Sequence, residues 1–138
     1  MIRSIIIVAD DDADDRLLIK EAIRENGFTG QIHCFEDGEK LMQHLGKEFS
    51  PASVILLDLN MPRKDGRVVL REIKSDPNLR SIPIVILSTS AEEDDIEYCY
   101  ACGANTYLVK PSSYEELKKN MESFLIYWFE VAVLKSRL

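Results

Sequence analysis

The chain alternates short apolar segments with helical patterns five times, and this alternation limits its fold more than any other feature. The segments are residues 5–9, 32–35, 54–57, 84–87 and 106–109. The first, third and fourth are uninterrupted apolar runs, which are typical of strands covered on both faces. Strands that alternate with helices favour a parallel sheet with helices on both sides. The sequence therefore predicts an α/β fold with a doubly wound, five-stranded parallel sheet.

Length and charge narrow the classes of function. A chain of 138 residues suits one ordinary domain, so we expect a single domain over residues 1–138. A net charge of −7 without a basic stripe argues against binding to nucleic acid or to an anionic membrane. No apolar run reaches the ~18 residues of a membrane span. Because there is also no secretory signal and the three cysteines are an odd number, we expect reduced thiols and a cytoplasmic location.

Four polar residues end or follow the predicted strands: Asp10, Asp58, Ser88 and Lys110. In a doubly wound sheet the functional crevice lies beyond the carboxyl ends of the strands. Two carboxylates that meet there repel each other, so a cation has to offset them, either the lysine or a divalent ion such as Mg²⁺. A carboxylate, a hard metal ion, an ammonium and a hydroxyl together suit a phosphoryl group, with the carboxylate as nucleophile.

Four motifs occur in the order typical of one known family. They are residues 5–11, residues 57–62 with Asp65-Gly66, residues 82–88, and Gly103-Ala104 with residues 107–111. Through them the chain resembles the receiver domain of two-component response regulators from residue 5 to about residue 124. The resemblance implies a flavodoxin-like (βα)5 fold.

The resemblance also implies a role for each strand-end residue. It makes Asp58 the phosphoacceptor, with a phosphohistidine on a partner histidine kinase as the donor. Asp10 is then a ligand of Mg²⁺ or Mn²⁺, together with Asp58 and the backbone carbonyl of Asn60. Lys110 pairs with the phosphoryl group, and the bond between it and Pro111 is expected to be cis.

The resemblance also implies that two further residues move when the protein is phosphorylated. Ser88 is the hydroxyl that moves toward the phosphoryl group, and Tyr107 is the aromatic side chain that turns inward with it. The signal is then expected to leave by protein contact, through a surface around the fourth helix and the fifth strand. On this interpretation the chain is a phosphoacceptor without turnover of an external substrate, and so it is not an enzyme in the usual sense.

One position departs from the family pattern. Receivers usually carry two consecutive acids at the end of the first strand, whereas this chain has Ala9 followed by Asp10. Asp11 is a further candidate metal ligand that could compensate from the following loop. If it does not, a second interpretation is a degenerate adaptor that works without phosphorylation.

Two other functions fit parts of the sequence less well. A Mg²⁺-dependent phosphohydrolase of the haloacid-dehalogenase type also uses an aspartate nucleophile, but its second aspartate lies two residues on, where this chain has Asn60. Asp10, Asp12 and Asp14 have the spacing of a calcium-binding loop. That loop needs glycine at its sixth position, however, and Asp15 occupies it.

The C-terminal segment is more apolar than one sheet-facing helix requires. A helical pattern runs from Glu115 to about Lys135, and we expect an extension of this helix at about residues 125–138. Its second apolar face consists of Ile126, Tyr127, Phe129, Val133 and Leu134. Such a helix has to be buried on two sides. We therefore expect a homodimer in which two copies of this helix pack together. The alternative is that the end of the helix folds back onto its own chain. This tail resembles that of small stand-alone receivers partnered with cyanobacterial phytochrome histidine kinases.

Overall fold

Five parallel strands form one sheet in the order β2-β1-β3-β4-β5. The computed structural model describes residues 4–47 and 53–135. The strands are β1 (Ile5–Ala9), β2 (Gln31–Phe35), β3 (Ser53–Leu57), β4 (Ile84–Ser88) and β5 (Thr106–Val109). The helices are α1 (Ala13–Glu25), α2 (Gly38–Lys47), α3 (Gly66–Ser75), α4 (Glu93–Ala101) and α5 (Tyr114–Ile126), followed by a π-helical turn (Tyr127–Val131). The predicted α/β fold with its doubly wound sheet is confirmed.

An apolar layer covers each face of the sheet. Side chains that alternate along β1 enter different layers, with Ile5 and Ile7 on one side and Ile6 and Val8 on the other. The first layer packs under α2, α3 and α4, and the second packs under α1 and α5. Every residue of β1, β3 and β4 is buried as a result, which explains why these strands are continuous apolar runs instead of alternating patterns.

Polar side chains fix the first turns of three helices. Asp12 precedes α1 and accepts hydrogen bonds from the backbone amides of Asp14 (2.8 Å) and Asp15 (3.0 Å). Asp65 and Ser113 cap α3 and α5 in the same way. These caps satisfy amide groups that have no partner within the helix. They also set where each helix begins beside the carboxyl edge of the sheet.

The C-terminal helix is shorter than the sequence predicts. α5 ends at Ile126, the π-helical turn follows, and Ala132 is extended with ψ of 147°. The expected helical extension is present as far as Val131, but the predicted end near Lys135 is wrong, and residues 136–138 of the expected extension lie outside the described residues. The wider turn, closed by a hydrogen bond from the amide of Ala132 to the carbonyl of Tyr127, ends the helical backbone.

Part of the second apolar face folds back onto the chain's own core. Phe129 packs against Phe28 with ring centroids 5.4 Å apart, and Leu134 packs on the same apolar layer. The other members of that face stay exposed, from Ile126 at 46% to Val133 at 97%.

Among the described residues, no helix combines the length and the apolar character needed to cross a bilayer.

A glycine allows the loop after β3 to pass against the end of that strand. A Cβ atom at Gly66 would lie 2.1 Å from the carbonyl oxygen of Asp58 and 2.7 Å from the Cα atom of Leu59. Gly66 also donates its amide to the carbonyl of Leu59 at 2.8 Å. The loop between Asp58 and α3 therefore holds its shape only if residue 66 has no side chain.

We expect Gly66→Ala to destabilise the protein by about 1–3 kcal/mol, because the new methyl group meets backbone that cannot rotate away. Gly46→Ala is the matched control. Nothing lies within 4 Å of a Cβ atom at Gly46 in α2, so this change should leave stability unchanged or raise it by up to about 1 kcal/mol. Urea unfolding followed by circular dichroism measures both, and equal effects at the two positions would contradict the close approach.

Candidate functional site

Two buried carboxylates lie side by side at the carboxyl edge of the sheet. β1 and β3 are neighbours with Ala9 opposite Leu57, so the residues that follow them, Asp10 and Asp58, are adjacent. The amide of Asp58 donates to the carbonyl of Ala9 at 2.9 Å. Asp10 is 1% exposed and Asp58 is 6% exposed. Parallel pairing of two strands thus places two acids in one water-poor position.

Lys110 supplies the positive charge that these acids require. It follows β5, and its amide donates to the carbonyl of Ser88 at 2.8 Å. Its ammonium Nζ lies 2.7 Å from Asp10 Oδ2, 2.9 Å from Asp15 Oδ2 and 3.5 Å from Asp58 Oδ2. The structure therefore brings together Asp10, Asp58 and Lys110, as the strand-end argument predicts, and adds Asp15, which that argument missed.

The lysine reaches the acids without the expected cis peptide bond. The bond between Lys110 and Pro111 is trans, so that expectation is wrong for this structure. The Lys110 ammonium nevertheless contacts Asp10 and Asp15.

Burial dominates the protonation of the two acids. It raises the pKa of Asp58 to about 6, with nearby Lys110 lowering it and Asp10 raising it again. Burial also raises the pKa of Asp10, against the lowering effect of Lys110. For Lys110, burial on its own favours the neutral amine, but its contacts with Asp10 and Asp15 outweigh this and raise its pKa. At neutral pH the ammonium is charged and Asp58 is mostly ionised.

The oxygen atoms around Asp10 fit a hard divalent cation. Asp10, Asp11 and Asp58 each offer one carboxylate oxygen, and these atoms lie within 4.8 Å of one another. Asp10 Oδ1 accepts the amide of Asp12 at 3.0 Å. Its buried Oδ2 atom touches the Lys110 ammonium but accepts no hydrogen bond of good geometry within the described part of the chain. Oxygen ligands of this kind suit Mg²⁺ or Mn²⁺.

The third carboxylate of this group comes from the loop and not from the strand. Ala9 is buried in the apolar layer under α2, α3 and α4. Asp11, two residues further on, is exposed and joins Asp10 and Asp58. Asn60 is exposed two residues after Asp58, on the loop that Gly66 shapes. The chain has alanine at position 9, where receivers usually have an acid, and three acidic side chains still meet at the site.

Ser88 and Tyr107 meet at the loop that follows β4. Ser88 is fully buried, and its Oγ accepts the amide of Ser90 at 3.2 Å. Tyr107 is half-buried, and its hydroxyl donates to the carbonyl of Ser90 at 2.8 Å. One residue of the β4–α4 loop thus contacts both. The inward turn of Tyr107 remains a prediction.

An ion-pair network that the sequence did not reveal fixes the same loop. The Ser90 hydroxyl donates to Asp95 Oδ2 at 2.6 Å, and Arg67 Nη2 donates to Asp95 Oδ1 at 2.8 Å. Arg67 also contacts Asp65, the cap of α3. The β4–α4 loop is therefore tied to the start of α3, and so to the loop after Asp58. Arg67 and Asp95 are 28 residues apart, and no local pattern pairs them.

A family model described as the response regulator receiver domain matches residues 6–122. The chain belongs to this family. It is thus a receiver domain of a response regulator, a signalling protein that is phosphorylated on an aspartate. Members of this family bind a divalent metal ion and partner with sensor histidine kinases.

Three relatives illustrate the family at similar identity. The probable methanogenesis regulatory protein FilR2 of Methanothrix harundinacea is 39% identical over 128 residues, which cover 90% of this chain and 83% of FilR2. The response regulator Rcp1 of Synechocystis sp. is 38% identical over 135 residues, covering 94% of this chain and 91% of Rcp1. The phosphorylated cyanobacterial phytochrome response regulator RcpA superposes with a TM-score of 0.89 at 37% identity, covering 97% of this chain and 99% of RcpA.

We expect Asp58→Asn to stabilise this receiver at neutral pH. The folded state holds a proton on Asp58 more tightly than the unfolded state does. Ionisation of Asp58 therefore lowers the free energy of unfolding, and this cost is complete above the folded pKa of about 6. The shift from 3.8 corresponds to about 2–3 kcal/mol. In metal-free buffer the variant should gain this amount above about pH 6, and the gain should disappear as the pH falls toward about 4.

Asp14→Asn is the control, because Asp14 is exposed and should change stability by less than about 0.5 kcal/mol. Urea unfolding at several pH values measures both variants. A gain for Asp58→Asn that does not depend on pH would contradict the assignment of the cost to ionisation.

Proposed function

We propose that Asp58 accepts a phosphoryl group from a phosphohistidine of a sensor histidine kinase, in a reaction that depends on Mg²⁺ or Mn²⁺. One observation carries this proposal: Asp58 and Asp10 lie side by side at a buried edge, with the Lys110 ammonium within 3.5 Å of both. A buried nucleophile beside a cationic group is what an incoming phosphoryl group requires.

In the proposed transfer, an oxygen of the ionised Asp58 carboxylate attacks the phosphorus atom in line with the bond to the donor imidazole. The new O–P bond forms as the N–P bond breaks, and the electron pair of that bond returns to the imidazole nitrogen. A pKa of about 6 leaves Asp58 mostly ionised at neutral pH and so available as the nucleophile. When bound, a divalent ion supplies positive charge that offsets repulsion between carboxylates and phosphoryl oxygens.

The residues around this step have two distinct roles, one in holding the cation and one in neutralising the phosphoryl group. Asp10, Asp58 and Asp11 would hold the cation, with the backbone carbonyl of Asn60 as a further proposed ligand. Lys110 would neutralise phosphoryl oxygens from the β5 side. The Mn²⁺-bound form of Rcp1, which superposes on this chain with a TM-score of 0.87 at 35% identity, supports a divalent ion in such a domain.

We propose that the phosphoryl group changes the conformation of the surface around α4 and β5, and that it is not part of a catalytic cycle on an external substrate. Ser88 would move toward the new phosphoryl oxygens, and its contact with Ser90 couples that movement to Tyr107 and the start of α4. Asn60 is an amide at the position where phosphohydrolases of this chemistry carry a second acid, so no side chain there can act as a general acid or base. We therefore propose signalling by contact, without an external substrate.

The proposed kinase partner is of the phytochrome type, and the proposed location is the cytoplasm. RcpA is a cyanobacterial phytochrome response regulator, and its similarity over 97% of this chain supports that partner. The net charge of −7 argues against nucleic acid as a partner. Three cysteines without a described disulfide are consistent with a reducing compartment.

Acetyl phosphate with Mg²⁺ should add one phosphoryl group to the wild-type protein, as measured by intact-protein mass spectrometry. Asp58→Asn should take up none, because its amide is not a nucleophile, and EDTA should abolish labelling of the wild type. Asp14→Asn retains Asp58 and removes an exposed acid of the same charge, so it should be labelled like the wild type. Labelling of Asp58→Asn at the wild-type level would contradict the phosphoacceptor assignment.

We also propose that two copies of the chain associate through the apolar residues that the C-terminal turn leaves exposed. Ile126, Tyr127 and Val131 are 46–64% exposed, and Val133 is 97% exposed. The fold-back of Phe129 and Leu134 accounts for only part of the apolar surface of this segment. An exposed cluster of this kind is typical of a surface that another protein covers.

Light scattering coupled to size exclusion tests this dimer. The wild type should have the mass of two chains at micromolar concentration, and Val131→Glu combined with Tyr127→Glu should have the mass of one, because charges on the contact surface resist burial. Leu17→Glu is the control, since Leu17 is 55% exposed on α1 and lies outside this cluster. A monomeric wild type would contradict the proposed dimer.

A further inference from the structure

Asp15 is an acidic residue to which neither the sequence nor the proposed transfer assigns a role. It lies in the first turn of α1, where acidic residues are common and usually face solvent. In the structure its Oδ2 atom accepts a hydrogen bond from Lys110 Nζ at 2.9 Å. This is shorter than the 3.5 Å between the same ammonium and Asp58. The phosphoacceptor therefore has a weaker contact with the lysine than Asp15 has.

Three carboxylates already compete for the ammonium before any phosphoryl group arrives: Asp15 and Asp58 accept hydrogen bonds from it, and Asp10 forms an ion pair with it. An ammonium has three N–H donors, and three carboxylates surround Lys110 at 2.7, 2.9 and 3.5 Å. A phosphoryl group on Asp58 adds oxygen atoms that need the same donors. One of the present contacts must then lengthen or break.

Asp15 is the contact that the lysine can give up most easily. Its side chain is 37% exposed, whereas that of Asp10 is 2% exposed. Water can solvate the carboxylate of Asp15 after the lysine leaves, whereas a released Asp10 would stay buried and would depend on the bound cation alone for a partner. Of the three acids around Lys110, Asp15 alone is not among the residues whose carboxylates lie close enough together to hold a cation.

We propose that Asp15 is a positioning residue that competes with the phosphoryl group for Lys110, and that it thereby weakens the phosphorylated state. The proposal rests on the proposed function of Asp58. In the unphosphorylated protein Asp15 holds the ammonium on the α1 side of the site. Phosphorylation draws the ammonium away from Asp15 toward the phosphoryl oxygens, so the carboxylate of Asp15 opposes the switch.

The test measures the affinity for beryllofluoride, a phosphoryl mimic, in the presence of Mg²⁺ by ¹⁹F NMR. Asp15→Asn should lower the Kd about two- to fivefold, the range that a half-exposed ion pair accounts for. Asp14→Asn is a closely matched control, because both residues lie in the first turn of α1 and both donate their amides to Asp12. Asp14 has no ion pair in the described part of the chain, so its variant should show only the general effect of removing a charge.

Asp15→Glu, which retains the carboxylate, should restore a Kd near that of the wild type. In a Lys110→Ala background, Asp15→Asn and Asp14→Asn should have equal effects, since the competition acts through the lysine. Equal Kd values for Asp15→Asn and Asp14→Asn with Lys110 present would overturn the proposal. So would a gain from Asp15→Asn that persists without Lys110. If the wild type itself bound no beryllofluoride, the result would contradict the proposed phosphoacceptor role of Asp58. Failure of that role is therefore distinguishable from failure of the role proposed for Asp15.

Discussion

The repulsion between Asp10 and Asp58 is the constraint on which the rest of this structure depends. Parallel pairing of β1 and β3 forces these carboxylates together where little water reaches them. Burial raises the pKa of both, and the Lys110 ammonium partly compensates. The folded chain therefore carries an electrostatic cost at neutral pH that a divalent cation is suited to relieve. Binding of a cation would offset this cost, and the unfavourable charge arrangement therefore favours cation binding.

The remainder of the fold holds this arrangement in place and connects it to the surface. The two apolar layers fix the strands, and Gly66 lets the following loop turn back against the end of β3. Ser90 joins the site to Arg67 and Asp95 on one side and to Tyr107 on the other. Because these contacts share one short loop, Ser90 provides a direct connection between Ser88 and the start of α4. In the proposed switch, charge at Asp58 is thereby linked to the surface at the start of α4.

The sequence predicted those parts of the site that follow from strand geometry. Carboxyl ends of parallel strands meet at one edge, so Asp10, Asp58 and Lys110 could be placed together without coordinates. The contact of Asp15 could not, because it depends on how α1 is rotated about its axis. The pairing of Arg67 with Asp95 depends on the packing of two helices. The π-helical turn was missed because apolar periodicity does not distinguish a wider turn from a continuing helix.

The most direct test is a crystal structure with Mn²⁺ and beryllofluoride. The account predicts an anomalous peak for Mn²⁺ between the carboxylates of Asp10 and Asp58. It also predicts beryllium joined to an Asp58 oxygen and the Lys110 ammonium against a fluorine atom. Mn²⁺ density away from these carboxylates, or beryllofluoride attached to another residue, would contradict the claim that these three residues form one phosphoryl-binding site.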